Sequence, residues 1–368
     1  MPHTVTAPGA YALEVLEVIT ETADAVSIVF AAPQHARADF AYKPGQFLTL
    51  RVPVGANAVS RCYSLSSAPD IDDHLKVTVK RTTDGQGSNW LCDNAHPGMV
   101  LESLRPAGTF TMRSGSTSGV PIFVAAGSGI TPIISMIRTV LSSSTQDAIL
   151  VYANRDRASV IFDAELAILQ SAHGSRLTVT HWIETEAGLP TAEGLRALLP
   201  APGVGTAAYL CGPAAFMDMA ADALGSSGLT RENIHREVFV SLSTDAFAAA
   251  PAAAASPAAV DAASPAAVDA ASPAAVDAAS ATVEIDGDTH QICWPKSQIL
   301  LDVLLGLGID APYVCREGNC GGCSYTLREG EVTMEVNDIL DDHELRHGVR
   351  LACQSLPQSD SLAIAFDR

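Results

Sequence analysis

Three of the eight cysteines in the chain lie within the short stretch CREGNCGGC. Cys315, Cys320 and Cys323 are separated by four and then two residues, and Cys353 follows after 29 intervening residues. This spacing is typical of four thiolates that bind a 2Fe-2S cluster. Structural zinc is the main alternative, but zinc sites usually use two C-x2-C pairs, and only one is present here. The sequence therefore predicts a 2Fe-2S cluster with these four ligands.

The other cysteines do not form a disulfide pattern. Eight cysteines in 368 residues are too few for a disulfide scaffold, and MPHTVTAPGA does not resemble the start of a signal peptide. We therefore expect a cytoplasmic protein in which clustered thiols serve metal or redox chemistry. Cys62, Cys92 and Cys293 are isolated, and we predict each to be a small buried hydrophobic side chain.

A second group of candidate residues is the sequence RCYS at 61–64, at the end of a predicted strand. The guanidinium of Arg61 suits a phosphate, the aromatic ring of Tyr63 suits a planar ligand, and the hydroxyl of Ser64 can form a hydrogen bond. On its own, the pattern could equally be a polar turn. Downstream, GQGSNWL at 85–91 predicts a glycine turn that opens a helix, and the free N–H groups of such a helix suit a diphosphate.

Two further turns follow predicted strands. GSGITP at 127–132 comes after PIFVAA and opens a helix, where a turn can bind phosphate, although it lacks the spacing of the dinucleotide fingerprint or of a P-loop. CGP at 211–213 comes after AAYL and precedes another helix. Each could be an ordinary strand-to-helix turn, and together they predict a nucleotide site.

In combination, these motifs resemble those of the ferredoxin-NADP reductase superfamily, and the last 90 or so residues are similar to a plant-type ferredoxin domain. The resemblance covers nearly the whole chain. It implies a multi-domain fold: an antiparallel β-barrel for FAD, an α/β parallel sheet for NAD(P), and an α+β ferredoxin-like β-grasp domain for the 2Fe-2S cluster. Short alternating strands before 113, and strands alternating with helices after 119, agree with it.

The predicted domains are 1–115 for FAD, 116–243 for NAD(P), 244–281 as a linker and 282–368 for the cluster. In the linker, SPAAVDAA recurs from Ser256, Ser264 and Ser272. Its prolines prevent a continuous helix and its small residues cannot form a core. We interpret it as a tether that lets the ferredoxin domain move between the flavin and a partner; a spacer without further role is the alternative.

The resemblance also implies roles for residues near the flavin. Arg61 is expected to face the FAD diphosphate, Tyr63 to lie against the isoalloxazine ring, and Ser64 to hydrogen-bond near N5, where hydride arrives. Gly87 and Ser88 are expected to bind the diphosphate at the start of their helix. A diphosphate implies FAD rather than FMN.

For the pyridine nucleotide, the resemblance implies two turns as the binding site. The residues are Gly127, Gly129, Thr131, Cys211, Gly212 and Pro213. EVF at 237–239 resembles the end of the nucleotide domain in relatives that carry a ferredoxin module. There Phe239 is expected to shield the flavin until nicotinamide displaces it, with an ordinary core phenylalanine as the alternative. Ser64, Cys211 and Phe239 are therefore the residues expected at the point of hydride transfer.

The choice between NADH and NADPH depends on NRDR at 154–157, which is expected near the adenosine ribose. An acidic residue favours the free diol of NADH, and arginines favour the 2'-phosphate of NADPH. The two signals conflict, and we favour NADH slightly.

The charge of the chain limits its partners. The formal net charge is −19, which argues against nucleic acid or an anionic membrane, and no run of about 18 apolar residues is present. From 282 to 368 there are 15 acidic and 6 basic residues, a net charge of −9. We predict that this acidic surface steers the ferredoxin domain to a basic site on a partner; an ordinary solvated face is the alternative. We expect a monomer.

The three predicted cofactors form a relay. A nicotinamide gives two electrons as hydride, a 2Fe-2S cluster accepts one at a time, and a flavin can connect the two. The chain most resembles the reductase components of steroid 9α-hydroxylases, in the segments YTLREGEVTMEVNDILDDHEL, SNWLCDN and LACQSLPQSD. This resemblance implies a Rieske-type terminal oxygenase as partner. The reductase subunits of phenylacetyl-CoA epoxidases are the runner-up. Two hypotheses of a different kind stay open: a plain electron carrier on an inactive reductase scaffold, and a stand-alone NAD(P)H oxidase.

Overall fold

The computed structural model describes residues 9–112, 119–239, 241–242, 245–247 and 277–366. Contacts divide the chain into two compact units, Met1–Phe247 and Ala248–Arg368. The first contains an antiparallel barrel and a parallel sheet with helices, and the second contains a mixed sheet with a helix. The predicted fold class is confirmed.

Six antiparallel strands form the barrel. They are β1 (Tyr11–Thr22), β2 (Ala25–Ala31), β3 (Phe47–Val54), β4 (Asn57–Ser64), β5 (Leu75–Lys80) and β6 (Val100–Ser103), in the order β4-β3-β6-β1-β2-β5. A bridge between Leu65 and Val77 joins the chain after β4 to β5, so that the sheet closes on itself. Helix α1 (Gln86–Asn94) places the fully buried Leu91 in the barrel core. Short strands with alternating apolar residues thus enclose one core.

Parallel strands and helices follow the barrel. They are β7 (Ile122–Ala126), α2 (Ile130–Ser143), β8 (Ala148–Asn154), α3 (Asp163–His173), β9 (Leu177–Ile183), α4 (Glu184–Ala187), α5 (Ala192–Leu198), β10 (Ala208–Cys211), α6 (Ala214–Ser226) and β11 (Ile234–Glu237). The strand order is β11-β10-β7-β8-β9, and every pair is parallel. The chain runs outward from β7 to β9 and then returns to the other side of β7. The point between β7 and β10 is therefore the topological switch point, where open α/β sheets bind ligands.

Hydrogen bonds and an ion pair join the barrel to the parallel sheet. Arg138 on α2 donates from both terminal nitrogens to the carboxylate of Asp72, at 2.6 and 2.7 Å. One turn earlier, Ser135 Oγ donates to the carbonyl oxygen of Ser67 at 2.6 Å. Because these partners are largely buried, they fix α2 against the barrel wall. In this way the helix that starts at the switch point is held on the flavin side.

A short segment after β11 packs back on the barrel. Ser60 Oγ on β4 donates to Asp245 Oδ1 at 2.9 Å and accepts from the Ala246 amide at 3.0 Å. Phe247 is buried, and the Arg51 guanidinium lies 5.7 Å from its ring centroid. Residues 245–247 thus belong to the barrel surface, although the sequence places them in a linker.

The second unit is a β-grasp fold. Its elements are β12 (Ala278–Ile285), β13 (Asp288–Pro295), α7 (Leu300–Gly306), β14 (Ser324–Glu329), β15 (Val332–Met334), α8 (Asp342–Arg346), β16 (Val349–Leu351), β17 (Ser355–Pro357) and β18 (Ser361–Phe366). The main sheet has the order β13-β12-β18-β14-β16, with β12 and β18 parallel, and β15 pairs with β17. The core surrounds the fully buried Trp294, whose Nε1 donates to the Gln298 carbonyl oxygen at 2.7 Å.

The start of β12 differs from the predicted start of the ferredoxin domain at 282. The strand begins at Ala278, and Ala279 and Ala281 point into the core. Alanines at alternate positions resemble the preceding alanine-rich repeats, so no local pattern indicates a strand there. The SPAAVDAA repeats lie outside the described residues, except for Asp277, Ala278 and Ala279 at the end of the third repeat. Within the described ranges, no helix is both long and apolar enough to cross a membrane.

Candidate functional site

The four predicted cluster ligands lie together in the second unit. Cys315, Cys320 and Cys323 are in the loop between α7 and β14, and Cys353 comes two residues after β16. Three of the thiols are almost fully buried, and Cys320 is partly exposed. Cys315 is within hydrogen-bonding distance of Cys320 and Cys353, and Cys353 is also close to Cys323. The structure therefore brings the four predicted residues to one place.

Backbone amides point at the sulfur atoms. Glu317 donates to Cys315 at 3.3 Å, Gly322 to Cys320 at 3.4 Å and Cys353 to Cys323 at 3.4 Å. Gly318 allows this loop to turn, because its φ is +79° and a Cβ there would lie 2.8 Å from the carbonyl oxygen of Val336. Amide donors stabilise negative charge on thiolates, so this set of donors fits a 2Fe-2S cluster.

The thiols of the four-cysteine site also shift one another's pKa values. Hydrogen bonds from Cys320 and Cys353 lower the pKa of Cys315, while the bond to Cys315 together with burial raises the pKa of both partners. Bound iron would replace the shared protons with positive charge. In the part of the chain that the structure describes, no three or more His, Cys, Asp or Glu side chains are arranged for a single metal ion.

The flavin motif lies on β4, next to α1. A Cβ on Gly87 would be 2.9 Å from Cγ of Arg61 and 3.5 Å from the hydroxyl of Tyr63, so the first turn of α1 lies directly against both side chains. Arg61 Nη1 donates to the Ser60 carbonyl oxygen at 2.7 Å. Burial raises the pKa of Tyr63, so its hydroxyl stays neutral. Ser64, the last residue of β4, is buried.

The start of α1 fits an anionic group. Its N-cap residue is Gly85, which has no side chain to accept hydrogen bonds from the first amides of the helix. The hydroxyl of Ser88, which was expected to bind the diphosphate, contacts Thr82 Oγ1 at 2.8 Å in the preceding loop. The N-terminal amides of α1 beside Arg61 are thus available for a diphosphate, with Ser88 supporting the loop.

The two predicted nucleotide turns contact each other at the switch point. A Cβ on Gly129 would collide with the carbonyl oxygen of Cys211 and would lie 2.8 Å from the Gly212 amide nitrogen. Thr131 is buried, and its hydroxyl donates to the Ser128 carbonyl oxygen at 3.0 Å, inside the first turn. Gly127 has a φ of +53°, and Pro213 is the N-cap residue of α6. Glycine is thus required where the turns touch.

Glu237 is a residue that the predicted site residues omitted. It pairs with Cys211 across β10 and β11, at the carboxyl ends of both strands. Burial raises the pKa of Glu237 to about 8, and burial together with this carboxyl raises the pKa of Cys211. The EVF sequence contained the residue, but only the parallel pairing of β10 and β11 shows that its carboxyl is beside the thiol.

Phe239 lies two residues beyond β11 and is 50% exposed. Its neighbour Val238 is also exposed. This position excludes the ordinary core phenylalanine that the sequence left open. An exposed aromatic ring just after the Cys211–Glu237 pair is free to cover a flat ligand, and its role as a flavin shield stays a prediction.

The charged side chains of the loop after β8 are paired, within the loop and with α4. Asp156 accepts from the Ser159 amide at 2.9 Å and from Arg155 Nε at 2.9 Å. Arg157 donates to the carboxylate of Glu186 at 2.7 and 2.9 Å. The arginine that would have to recognise a 2'-phosphate is therefore already balanced by an acidic partner.

The isolated cysteines differ from their prediction. Cys62 and Cys92 are partly buried, and Cys92 donates to the Val79 carbonyl oxygen at 3.6 Å. Cys293 on β13 is exposed, so the prediction that it is buried is wrong. Its neighbours Ile292 and Trp294 point into the core, which turns the thiol outward because side chains alternate along a strand.

Comparisons with known families agree with these sites. The chain matches the oxidoreductase FAD-binding domain at 12–112, the oxidoreductase NAD-binding domain at 123–222 and the 2Fe-2S iron-sulfur cluster binding domain at 283–358. The matches contain the RCYS and GQGSNWL, the GSGITP and CGP, and the four-cysteine motifs respectively, and EVF at 237–239 lies beyond the second match. The predicted cofactors, FAD, NAD(H) and a 2Fe-2S cluster, are thus confirmed, as is the prediction of an oxidoreductase.

Full-length relatives match the chain from end to end. The 3-ketosteroid-9-alpha-monooxygenase ferredoxin reductase component of Mycolicibacterium smegmatis is 48% identical, over 96% of both chains. One subunit of the 1,2-phenylacetyl-CoA epoxidase of Escherichia coli is 31% identical, over 97% of this chain and 98% of that one.

A solved structure shares the fold over the same length. Phthalate dioxygenase reductase has a TM-score of 0.56 at 24% identity, over 98% of this chain and all of that one. A likeness at this identity supports the fold alone, and the full-length relatives supply the family. The chain therefore belongs to the family of FAD-, NAD- and 2Fe-2S-dependent reductases that includes the ferredoxin reductase components of 3-ketosteroid-9-alpha-monooxygenases.

Proposed function

We propose that this chain is the reductase component of a 3-ketosteroid 9α-monooxygenase and passes electrons from NADH to a terminal oxygenase of the Rieske type. The main support is the 48% identity, over 96% of both chains, to a relative of that name. The four-thiol loop and the flavin and nucleotide turns give the chain the residues that such a relay needs.

Residues of the barrel would bind and orient the flavin. Bound FAD would accept hydride and pass single electrons on, and the cluster would accept them one at a time. Arg61 and the first amides of α1 would hold the diphosphate, because they lie side by side and are both electropositive. Tyr63 would lie against the ring system, and Ser64 would donate a hydrogen bond near the atom that receives hydride.

Residues at the switch point would bind and orient the nucleotide. The touching turns that contain Gly129 and Gly212 leave no room for side chains, so backbone amides would contact the ligand. Cys211 and Glu237 would lie beside the nicotinamide, and the raised pKa of Glu237 keeps this carboxyl neutral below about pH 8. A neutral carboxyl avoids attracting the positive charge of the oxidised nicotinamide, which favours its release. Phe239 would then cover the flavin.

NADH would be the preferred donor. A 2'-phosphate would have to compete with Glu186 for Arg157 and with Asp156 for Arg155, whereas an acidic residue such as Asp156 favours the free diol of NADH. Anaerobic titration of the purified protein with each nucleotide tests this. Flavin bleaching at lower concentrations of NADPH than of NADH would contradict it.

The partner would bind the acidic surface around the cluster. Asp302 and Glu335 are exposed and line a cavity of about 280 Å³ that reaches Cys353. With the net charge of −9 between 282 and 368, they would attract a basic patch beside the oxygenase cofactor. The electron-transfer rate to the partner should therefore fall as ionic strength rises.

Reconstitution with defined oxygenases tests the proposed function. The holoprotein, NADH and the purified oxygenase component of a 3-ketosteroid-9-alpha-monooxygenase should form hydroxylated steroid in proportion to the NADH consumed. A phenylacetyl-CoA epoxidase without the subunit that resembles this chain is the comparison, because the 31% identical relative makes it the second candidate. Turnover only with the epoxidase would overturn the steroid assignment. Absence of flavin from the purified protein would overturn the relay itself.

Location and assembly state complete the proposal. A cytoplasmic monomer would have access to NADH and would keep its cluster thiols reduced before iron binds. Cell fractionation and light scattering of the holoprotein test the two statements. A periplasmic fraction or a stable dimer would contradict them.

A further inference from the structure

Gln354 directly follows the cluster ligand Cys353 and is 6% exposed. Its side-chain Nε2 lies 3.6 Å from Cys353 Sγ and 3.2 Å from the carbonyl oxygen of Arg316, the residue after Cys315. One amide group therefore contacts the last ligand and the start of the loop that carries the other three. We propose that Gln354 is a positioning residue that raises the reduction potential of the cluster by donating to the Cys353 sulfur.

The direction of this side chain is fixed by its surroundings. The Gln354 backbone donates to the Leu351 carbonyl oxygen at 3.0 Å and accepts from the Glu335 amide at 3.1 Å. Its Cγ lies 3.1 Å from the position that a Cβ on Gly318 would occupy, so the ligand loop packs directly on it. Because hydrogen bonds fix the Gln354 backbone and the ligand loop packs on its Cγ, the side-chain amide has little freedom to turn away from the sulfur.

The second acceptor, Arg316, is itself held in place. Its φ of +60° is unusual for a residue with a side chain, and such a conformation persists only when neighbours support it. The guanidinium pairs with Asp302 and lies 5.4 Å from the ring centroid of Tyr313. Gln354 supports the same residue from its carbonyl side. The amide thus joins two parts of the cluster site that are far apart in the chain.

The effect on the cluster follows from charge. A reduced cluster carries one more negative charge than an oxidised one, so a donor at sulfur stabilises the reduced form more. Burial strengthens this hydrogen bond. The cavity beside Cys353 also contains the carboxylates of Asp302 and Glu335, which have the opposite effect, and the Arg316 guanidinium, which pairs with Asp302 and partly offsets it. Gln354 is the neutral donor that faces the sulfur from this side.

The proposal depends on a 2Fe-2S cluster bound by the four cysteines and is independent of the oxygenase partner. Its failure would leave the proposed function intact. Conversely, a different partner would leave the role of Gln354 unchanged. Both tests start from the same full-length holoprotein. The test of Gln354 measures the reduction potential of the cluster, and the test of the proposed function measures the hydroxylated steroid.

Redox titration followed by EPR tests the proposal, with the variants Gln354→Leu and Gln354→Glu. Leucine has a similar size and no donor, so one-electron reduction should become about fivefold to tenfold less favourable, a shift of about 40 to 60 mV to more negative potential. Glutamate should shift the potential in the same direction, and more at pH 8 than at pH 6, because its ionised form adds negative charge beside the sulfur. The flavin potential in the same samples should not change.

Gln291→Leu is the matched control. Gln291 belongs to the same unit and is exposed, and its Nε2 donates to Thr282 Oγ1 at 2.9 Å, away from the cysteines. This variant should keep the wild-type potential. A direct readout is available in protein labelled with 15N in glutamine side chains, where the nitrogen coupling to the reduced cluster should disappear in Gln354→Leu.

Two results would overturn the proposal. One is an unchanged potential in either Gln354 variant that retains full iron content. The other is loss of the cluster from both variants while Gln291→Leu retains it, because Gln354 would then only support the fold of the loop.

Discussion

The two units of the chain build their redox sites in different ways. In the second unit, three ligands come from one loop and the fourth from a residue just after β16, and amides of the same segments point at the sulfurs. In the first unit, the barrel brings β4 and α1 together, and the parallel sheet brings together the turns after β7 and β10. Contacts such as the Arg138–Asp72 pair then join the barrel to the sheet. The cluster site depends on local loop geometry, and the flavin and nucleotide site depends on domain packing.

This difference predicts different responses to mutation. A change in the cluster loop should affect one cofactor and leave the other unit unchanged. A change at the packed surfaces of the first unit should reduce nucleotide binding or the free energy of unfolding, while the FAD and iron contents stay normal. The predictions below test this contrast, beginning with the largest expected effect.

The largest effect is expected for Cys353→Ser. The hydroxyl is a poor ligand for iron, so the EPR signal and visible absorption of the cluster should be lost almost completely. NADH should still bleach the flavin at the wild-type rate in stopped-flow experiments. Cys293→Ser, at the exposed cysteine of the same unit, is the control and should keep the cluster. Slower flavin bleaching in Cys353→Ser would show that the two sites are not independent.

Gly129→Ala tests the contact between the nucleotide turns. Its Cβ would collide with the Cys211 carbonyl oxygen, so the turns must separate. We expect the Kd of NADH to rise about tenfold, equivalent to about 1.4 kcal/mol, with normal FAD and iron contents. Gly225→Ala on α6 is the control, because no described atom lies within 4 Å of a Cβ there. Equal nucleotide affinity in both variants would refute the contact as a requirement.

Arg138→Met tests the junction between barrel and sheet. Arg138 and Asp72 are 16% and 27% exposed at their side chains, so loss of the pair should lower the free energy of unfolding by about 2 kcal/mol. The control is Arg157→Met. There Arg157 and Glu186 are 69% and 51% exposed, so solvent screens the pair and the loss should be much smaller. Urea unfolding at pH 7 measures both, and equal losses would contradict the prediction.

The same junction has a pH dependence. Burial alone would raise the pKa of Asp72, but hydrogen bonds from Arg138 and the Ala68 amide lower it below its usual value near 3.8. A lowered pKa stabilises the fold above the pKa of the unfolded state, and this contribution is lost as pH falls through the folded value. The stability difference between wild type and Arg138→Met should therefore shrink below about pH 4.

A pH dependence of the opposite sign is expected for Glu237→Gln. Glu237 keeps its proton up to about pH 8 in the folded chain, but it ionises near pH 4.5 when unfolded. Unfolding is therefore increasingly favoured as pH rises between these values. Glutamine does not ionise, so the variant should gain about 3 kcal/mol relative to wild type between pH 5 and pH 8. Parallel curves for Glu237→Gln and wild type would contradict the raised pKa.

Sequence was informative where chemistry is encoded by spacing. The positions of Cys315, Cys320 and Cys323 are set by turns within one loop, so their spacing alone predicted a cluster. The turns that contain Gly129 and Gly212 were likewise predicted, because strands and helices around them have clear patterns. Their contact with each other required the strand order, which no local pattern reveals.

Residues that act through tertiary contacts were not predictable in this way. Arg138 and Asp72 are 66 positions apart, and each alone resembles an ordinary surface charge. Gln354 is next to a ligand, but its contact with Arg316 spans 38 positions and depends on how the loop folds back. Glu237 was seen as part of a motif, but its burial depends on β10 and β11 being neighbours. In each case the physical cause is a neighbour that is distant in the chain.

The packing of Asp245, Ala246 and Phe247 on the barrel has a practical consequence for dissecting the protein. A reductase fragment that ends at the predicted boundary of 243 would lack these residues, leaving Ser60 without two partners and uncovering the surface next to Arg51. Fusions that exchange the ferredoxin module should therefore be joined after Phe247. At the other side, the joined module should begin no later than Ala278, so that the first strand of the β-grasp fold is complete.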